Sequence, residues 1–333
     1  MATLKDVAQK AGVNISTASR ALNGSPHISE RTGNLIKQVA KELNYVPNAN
    51  ARILAGKSSH MIGIIVPETN SDYFSKMIEM LETKLQENGY FLMIANTHFN
   101  PQKEAEALEN FLNYNIDGIF LACSTDTKEL TKYHRKLTMQ DIPLIALDTR
   151  QAGADCNQIM VDDVVGLTMA VHHLLERGHK TIGFLADYII DEQMRTDMFR
   201  QALLNNGLDP EDHPIISHPD CRFEKAGYDV MKQFLARSSH PSAYLAGYDD
   251  MAIGAMRAIE EAGLRIPEDI AIIGNDNGRA GDFLHKRLTT LSPPVEKMAK
   301  VGVDMMLHSI HKEELDMIHH ISLIPELLVR ETT

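Results

Sequence analysis

The sequence predicts an N-terminal all-α head followed by a large α/β body that is built from two parallel-sheet lobes. Charge and periodicity predict this division. Residues 1–60 carry eight basic and three acidic side chains, a net charge of +5, whereas the other 273 residues have a net charge of −17. From residue 61 onward, strand-like apolar runs alternate with amphipathic helical segments, as in folds with parallel sheets. The basic head is therefore expected to contact a polyanion, and the acidic body is not.

The head is predicted to contain three short helices. Residues 4–11 repeat apolar side chains on one helical face, and Gly12 ends this helix. Asn14 is a suitable N-cap for a second helix over residues 15–23, and a third helix is expected over residues 29–43. Two helices joined by a tight glycine turn, with a third that closes the core, form a helix-turn-helix.

The second helix leaves exposed the side-chain types that contact DNA. Arginine can donate two hydrogen bonds to guanine, hydroxyls contact bases or phosphates, and an apolar side chain can contact a thymine methyl group. An ordinary three-helix bundle with a polar face is the alternative. The exposed residues are Ile15, Ser16, Thr17, Ser19 and Arg20.

Residues 51–58 read A-x-x-x-x-G-K-S and differ by one residue from the phosphate-binding P-loop. A P-loop follows a strand and precedes a helix, so that backbone N–H groups face the phosphates. Here the order is reversed, because residues 48–56 are themselves helix-compatible and the strand-like run 61–66 comes afterwards. Nucleotide binding is therefore not expected at this segment.

Seven strands and seven helices are expected in the body. The segments Ile62-Gly63-Ile64 and Ile182-Gly183-Phe184 each open a similar series, which indicates two lobes of like construction. The strand-like runs are 61–67, 91–96, 118–123, 143–148, 181–186, 243–248 and 270–276, and the helical segments are 74–88, 102–115, 163–177, 193–206, 224–236, 250–262 and 295–311.

Cysteine and histidine predict neither disulfides nor a metal site, and no cofactor is expected. The three cysteines, Cys123, Cys156 and Cys221, are odd in number and far apart. His308 and His311 share a helix face, but no carboxylate or thiol stands where it would complete a site. Apolar runs fall short of the roughly 18 residues of a membrane span. With no apolar signal segment at the N-terminus, the protein is expected in the cytoplasm.

Three stretches resemble the LacI/GalR family of bacterial transcription regulators. Residues 3–24, TLKDVAQKAGVNISTASRALNG, resemble the family's N-terminal signature, and residues 28–59 resemble its third helix and linker. The resemblance continues to residues 324–333, IPELLVRETT, and so covers essentially the whole chain. It implies a sequence-specific repressor of carbohydrate-metabolism genes that is controlled by a small-molecule effector. It also implies a homodimer on a roughly palindromic operator, with no membrane partner.

The resemblance divides the chain into a helix-turn-helix domain over 1–47, a hinge helix over 48–60 and an effector-binding and dimerisation domain over 61–333. The hinge helices of two subunits would lie in the minor groove, where Leu54 would insert between the central base pairs. A helix this short is marginal alone and is expected to form only with DNA and the partner subunit. The predicted DNA-contacting residues are Leu4, Ile15, Ser16, Thr17, Ser19, Arg20, Asn23, Ser29, Asn48, Ala51, Arg52 and Leu54.

The body resembles the periplasmic sugar-binding-protein fold. The resemblance implies one lobe of about 61–161 plus 292–321 and a second of about 162–291 plus 322–333. Ligands in such folds bind between the lobes, outside the carboxyl ends of the strands. That rule and the resemblance select as effector-binding candidates Asn70, Tyr73, Phe74, Ser124, Asp148, Arg150, Arg195, Arg222, Asp249 and Asp276.

Three arginines among these candidates favour an anionic effector, such as a sugar acid or a sugar phosphate. Arginine binds carboxylate and phosphate through two parallel hydrogen bonds, so Arg150, Arg195 and Arg222 would suit such a ligand if they converge. Arg222 stands where several relatives carry a stacking aromatic residue. A neutral sugar or a purine remains the alternative effector, and a structural ion pair with a nearby aspartate is the alternative for any single arginine.

No enzyme activity is predicted. The sequence lacks G-x-S-x-G, H-E-x-x-H and a G-x-G-x-x-G that follows a strand. A transport-type sugar-binding protein could be built on the same body. The basic head and the missing signal segment argue against that alternative.

Overall fold

The chain divides into two compact units, Met1–Ser59 and His60–Thr333. The computed structural model describes residues 2–22, 25, 27–45, 58–122, 135–148, 156–189, 195–312 and 317–333. Within these ranges, no helix has both the length and the apolar character needed to cross a membrane.

The first unit contains the three predicted helices, α1 (Leu4–Lys10), α2 (Ile15–Leu22) and α3 (Glu30–Glu42). The Thr3 hydroxyl accepts a hydrogen bond from the backbone of Asp6, whose carboxylate accepts one from the backbone of Thr3, and this reciprocal capping box fixes the start of α1. Small residues let the helices approach closely. The buried core consists of Val7, Ala8, Ala18, Ala21, Ile36, Val39 and Ala40.

The second unit contains two six-stranded sheets, and the predicted fold class is confirmed. The first sheet has the order β11-β5-β4-β3-β1-β2 and is parallel throughout. Its strands are β1 (Met61–Val66), β2 (Phe91–Asn96), β3 (Gly118–Leu121), β4 (Leu144–Leu147), β5 (Asn157–Val161) and β11 (His320–Leu323).

The second sheet has the order β12-β10-β9-β8-β6-β7 and is parallel except for the β10–β12 pair. Its strands are β6 (Ile182–Asp187), β7 (Ile215–His218), β8 (Ala243–Ala246), β9 (Ala271–Asn275), β10 (Thr289–Ser292) and β12 (Glu326–Leu328).

Among the described residues, seven α-helices cover the two sheets. Lobe one is defined here as the first sheet with α4, α5 and α10, and lobe two as the second sheet with α6 to α9. The chain crosses between the lobes after β5, after β10 and after β11. The helices are α4 (Asp72–Glu87), α5 (Pro101–Asn113), α6 (Asp163–Glu176), α7 (Arg195–Asn205), α8 (Phe223–Leu235), α9 (Asp249–Glu261) and α10 (Val295–His311).

Of the twelve strands in the part of the chain that the structure describes, five are additional to the seven expected ones, namely β5, β7, β10, β11 and β12. Each has only three to five residues, and most mix polar with apolar side chains. Thr289 and Thr290 of β10 are fully buried, so their polarity hides a core strand from a hydropathy pattern. Their hydroxyls form hydrogen bonds with Thr333 and Asp249, which offset the free-energy cost of burying polar groups.

Candidate DNA-contact surface and interlobe cleft

Helix α2 presents a polar face with one exposed apolar residue. Its Ala18 and Ala21 enter the core, and this orientation leaves Ile15, Ser16 and Arg20 exposed to solvent. The Ile15 side chain is 49% exposed. This side chain is therefore accessible for contact with another molecule.

The other predicted head residues differ in burial. Thr17 and Ser19 are half-buried, and Leu4 is half-buried against the core of the head. Ser29 is exposed and caps α3, because its Oγ accepts a hydrogen bond from the backbone N–H of Thr32 at 3.3 Å. Several predicted residues lie outside the described part of the chain, namely Asn23, Asn48, Ala51, Arg52 and Leu54 of the DNA set and Ser124 and Arg150 of the effector set.

In the second unit, the carboxyl ends of strands from both lobes carry charged residues. In lobe one, Asp148 follows β4, and its Oδ1 accepts a hydrogen bond from the backbone N–H of Val161 at 3.3 Å. The buried Tyr73 lies beside it, and its Oη also donates to Met298 Sδ at 3.8 Å. Burial and the charge of Asp163 raise the pKa of Asp148 to about 6, although Tyr73 and Arg195 oppose the shift.

Arg195 of lobe two lies among carboxylates from both lobes. Its Nη1 donates to the carbonyl oxygen of Gly247 at 2.7 Å, and its Nε lies 4.0 Å from Asp163 Oδ2. Burial lowers the pKa of Arg195, but the charges of Asp163, Asp276 and Asp148 outweigh burial and the net pKa is raised. This arginine therefore remains charged and electrostatically links the two lobes.

Asp276 follows β9 in a left-handed backbone conformation, with φ of +105°. Its Oδ1 accepts a hydrogen bond from Asn275 Nδ2 at 2.8 Å. Burial raises its pKa well above the ordinary value, Arg195 opposes this shift, and nearby aspartates add to it. Asp276 thus contributes a carboxyl group that readily holds a proton.

Asp249 is almost completely buried and uses both carboxylate oxygens inside lobe two. Oδ1 accepts from the Thr290 hydroxyl at 2.7 Å, and Oδ2 accepts from the backbone N–H of Gly278 at 2.6 Å. Burial raises the pKa of Asp249 to about 7 despite these two bonds. Within the described residues, its contacts hold the loop after β9.

Arg222 connects the lobes. Its Nη1 and Nη2 donate to Glu68 Oε2 at 2.6 Å and Oε1 at 3.2 Å, and its Nε lies 3.5 Å from Asp187 Oδ2. Glu68 follows β1 in lobe one, whereas Asp187 is the last residue of β6 in lobe two. The charge of Arg222 is therefore already matched by carboxylates of the protein, as the ion-pair alternative anticipated.

Asn70 and Phe74 of lobe one are more peripheral. Asn70 is exposed, and the half-buried Phe74 packs edge-on against Tyr73 with a ring separation of 5.1 Å. The fold also brings to the cleft five acidic residues beyond the effector-binding candidates named above. Glu68 and Asp187 stand at strand ends where the same rule applies, and Asp72 belongs to the segment after β1 where pocket residues are expected. The five are Glu68, Asp72, Asp163, Asp187 and Asp250.

The described part of the cleft is rich in acid. Eight carboxylates, the five just named together with Asp148, Asp249 and Asp276, are accompanied by two arginines that form ion pairs with members of this set, Arg195 and Arg222. Burial, Glu224 and the lobe-one residues Asp72 and Glu68 raise the pKa of Asp250 to about 6. In the ranges that the structure covers, no three His, Cys, Asp or Glu side chains are grouped to hold a metal ion.

Known proteins are similar to this chain over its full length. The sequence pattern of the bacterial regulatory proteins of the lacI family matches residues 3–48, and that of a periplasmic binding protein-like domain matches residues 171–333. The chain is 30% identical to the ribose operon repressor of Escherichia coli (strain K12) in an alignment of 333 residues that covers 99% of each chain.

Two further proteins extend this similarity. The chain is 32% identical to the HTH-type transcriptional repressor PurR of Pectobacterium carotovorum subsp. carotovorum (strain PC1), over 100% of this chain and 97% of that one. Its structure is similar to that of the lac repressor dimer bound to operator and the anti-inducer ONPF. That match has a TM-score of 0.88 at 27% sequence identity and covers 99% of this chain and 98% of that chain.

Proposed function

This chain belongs to the lacI family of bacterial regulatory proteins, and we propose that it is a DNA-binding transcription repressor controlled by a small molecule in the interlobe cleft. In this proposal residues 1–47 bind DNA, residues 48–60 form the hinge, and residues 61–333 bind the effector and dimerise. The observation that carries the proposal is the exposed face of α2, set on a basic head and joined to a body with a charged cleft.

DNA recognition is assigned to α2 in the major groove. Ile15, Ser16 and Arg20 would contact base edges, and Thr17 and Ser19 would hold phosphates. The net charge of +5 over the first 60 residues supports attraction to the DNA backbone, and the body's charge of −17 keeps the rest of the surface away from it. Leu54 would insert into the minor groove from the hinge.

This assignment is tested by selecting a binding site for the full chain from a random duplex pool and measuring affinities by fluorescence anisotropy. Arg20→Ala should weaken binding by about 1–3 kcal/mol and relax the base preference at one position of each half-site. The matched control is Arg200→Ala, which removes an exposed arginine of the body that pairs with Asp197. If Arg20→Ala and the control bind alike, α2 is not the recognition helix.

The proposed effector is a neutral, hydroxyl-rich ligand of the sugar class. The anionic effector expected from the sequence would need Arg150, Arg195 and Arg222 to be free to bind it. The acidic groups of the described cleft outnumber its two paired arginines, which disfavours an anion, and Arg222 is already paired with Glu68. Carboxylates accept hydrogen bonds from sugar hydroxyls, and Arg195 offers donors to the sugar oxygens. The ribose operon repressor of Escherichia coli, 30% identical to this chain, is a relative whose name fits this class.

A thermal-shift panel on the full chain tests the effector class. The panel contains D-ribose, D-glucose, ribose 5-phosphate, gluconate and hypoxanthine. A neutral sugar at 100 times its dissociation constant should add about 2.7 kcal/mol of stability, and Asp148→Asn should reduce the shift. Stabilisation by the two anions alone would restore the anionic effector, and stabilisation by hypoxanthine alone would point to a purine.

The body is also proposed to form the homodimer. Strand β2 lies at the edge of the first sheet and exposes Phe91 to 73% and Ile94 to 48%. An exposed apolar edge strand promotes association, and a second copy of the chain would cover it while pairing two heads on a two-fold site. Phe91→Lys should shift the sedimentation coefficient towards that of a monomer. An unchanged dimer would place the interface elsewhere.

A further inference from the structure

The contacts between the lobes include an ion pair between Glu68 and Arg222, and a second carboxylate, that of Asp187, lies close to the same arginine. We propose that Glu68 and Arg222 form a clasp that holds the two lobes together without ligand and thereby positions the cleft for its effector. The clasp itself does not depend on the proposed effector class, whereas its effect on affinity rests on the proposed function.

The geometry of the pair is that of a strong, desolvated interaction. Glu68 and Arg222 share two parallel hydrogen bonds, and their side chains are only 8% and 14% exposed. Glu68 belongs to lobe one and Arg222 to lobe two, so the bonds can exist only when the lobes are closed. Charge-assisted, bidentate bonds of this kind are stronger than neutral ones and fix orientation as well as distance.

Aromatic rings hold the guanidinium in place from both lobes. Arg222 Cζ lies 4.5 Å from the ring centre of Phe223 and 5.7 Å from that of Tyr248, both in lobe two. It also lies 5.0 Å from the ring centre of Phe99, which follows β2 in lobe one. Arginine stacks favourably on aromatic faces, so opening the lobes would cost the contact with Phe99 as well as that with Glu68.

The backbone next to Arg222 is held in an uncommon conformation. Phe223 has φ of +59°, which is strained for a bulky side chain. Its N–H donates to Tyr248 Oη at 3.1 Å, and the Tyr248 hydroxyl donates to Asp187. This chain of contacts stays within lobe two and keeps Arg222 directed at the cleft whichever partner it has.

Arg222 has a second carboxylate within reach on its own lobe. Its buried Nε–H has no hydrogen-bond partner among the described residues, and Asp187 Oδ2 lies 3.5 Å away, slightly beyond ordinary hydrogen-bond length. A small movement towards Asp187 would complete that bond when Glu68 withdraws. Opening therefore leaves no buried cation unpaired, which makes the clasp reversible.

A second contact joins the same two segments and can report on closure. Asp72, four residues after Glu68, accepts a hydrogen bond at 2.7 Å from the backbone N–H of Arg279 in lobe two. This amide is shielded from exchange only while the lobes are closed. Its hydrogen-exchange rate in the full chain without ligand therefore measures the opening of the cleft.

Glu68→Gln is the variant that tests the clasp, because it removes one charge and leaves Arg222 paired with Asp187. We expect exchange at the Arg279 amide to become about tenfold faster, while the amides of β9 stay protected. The matched control is Glu331→Gln, which breaks a similar arginine pair with Arg287 that lies within lobe two. Exchange at Arg279 that is the same in Glu68→Gln and wild type would overturn the proposal.

The effect on ligand is measured by titrating D-ribose into the same proteins. If the closed state is the one that binds, the dissociation constant should rise about tenfold in Glu68→Gln and stay unchanged in Glu331→Gln. Equal affinity in Glu68→Gln and wild type would overturn the coupling of the clasp to the effector. If wild type does not bind ribose, the sugar proposal fails, and the exchange experiment still decides the clasp.

Discussion

Replacing Gly254 of α9 by alanine should both destabilise the body and disturb the cleft. Helices α8 and α9 cross at two glycines, each of which packs against the backbone of the other helix. A Cβ at Gly254 would lie 2.6 Å from the carbonyl carbon of Glu224, and one at Gly227 would lie 2.7 Å from that of Met251. Carbon atoms in contact are normally about 3.5–4.0 Å apart, so the helices must separate by about 1 Å.

The size of the effect follows from what lies around the crossing. The blocking atoms are backbone, which cannot rotate away, and the neighbouring Ala226, Val230 and Ala255 are completely buried. Overpacking of this kind costs about 1–3 kcal/mol, and we expect Gly254→Ala at the upper end of that range. Because α8 follows directly on Arg222 and α9 begins at Asp249, the same displacement should also weaken effector binding.

The assay is urea unfolding of the full chain, followed by circular dichroism. Gly302→Ala in α10 is the matched control, because its Cβ would meet only side-chain carbons, of Phe120 at 3.3 Å and of Ile159 and Leu147 at 3.6 Å, which can move slightly. We expect the control to stay within about 1 kcal/mol of wild type. Equal unfolding free energies for Gly254→Ala and Gly302→Ala would refute the close crossing of α8 and α9.

Three further predictions concern single sites. The fold raises the pKa of Asp249 from 3.8 to about 7, so the folded chain holds this proton more tightly, and the free energy of unfolding should fall as pH rises from about 4 to 7. Asp249→Asn should shrink that fall by up to about 4 kcal/mol in urea titrations, and an unchanged pH profile would contradict the raised pKa. Tyr248→Phe removes the hydroxyl that donates to the buried Asp187 and should lower the free energy of unfolding by about 1–3 kcal/mol in the same assay. An unchanged free energy of unfolding would contradict this contribution. Gly33 lies inside α3 with open space around its Cα. Gly33→Ala should stabilise the helix by about 0.5–1 kcal/mol, because alanine loses less conformational entropy on folding, and calorimetry should detect a higher melting temperature of the head.

Local patterns were sufficient to predict the head. Apolar spacing, Gly12 and the capping residues give the three helices, because each of these signals acts within one helical turn. For α2 the pattern predicts that Ala18 and Leu22 enter the core. Ala18 is buried and Leu22 is half-buried, whereas the buried Ala21 was not predicted. The assignment of individual bases and phosphates remains a prediction.

The cleft depends on contacts between residues that are far apart in the sequence, and this limited what could be predicted. Arg222 and Glu68 are 154 positions apart, and no periodicity connects them. The sequence therefore favours an anionic ligand for Arg222, with an ion pair to a nearby aspartate as the alternative, and it does not indicate Glu68 of the other lobe as the partner. The position of Glu68 two residues after β1 was the available signal, because strand ends of both lobes face the same cleft.

An acid-rich cleft can recognise a neutral sugar because its carboxyl groups do not all carry a charge. Burial raises the pKa of Asp148 to about 6 and that of Asp276 well above its ordinary value, so near neutral pH part of this population is protonated. A protonated carboxyl donates one hydrogen bond and accepts others, as a sugar hydroxyl does, whereas an ionised one only accepts. The same burial makes it costly to bring in the negative charge of an anionic ligand. Such a ligand would force neighbouring carboxylates to take up protons or would compete with them for Arg195. These electrostatics support the proposed neutral sugar over an anionic effector.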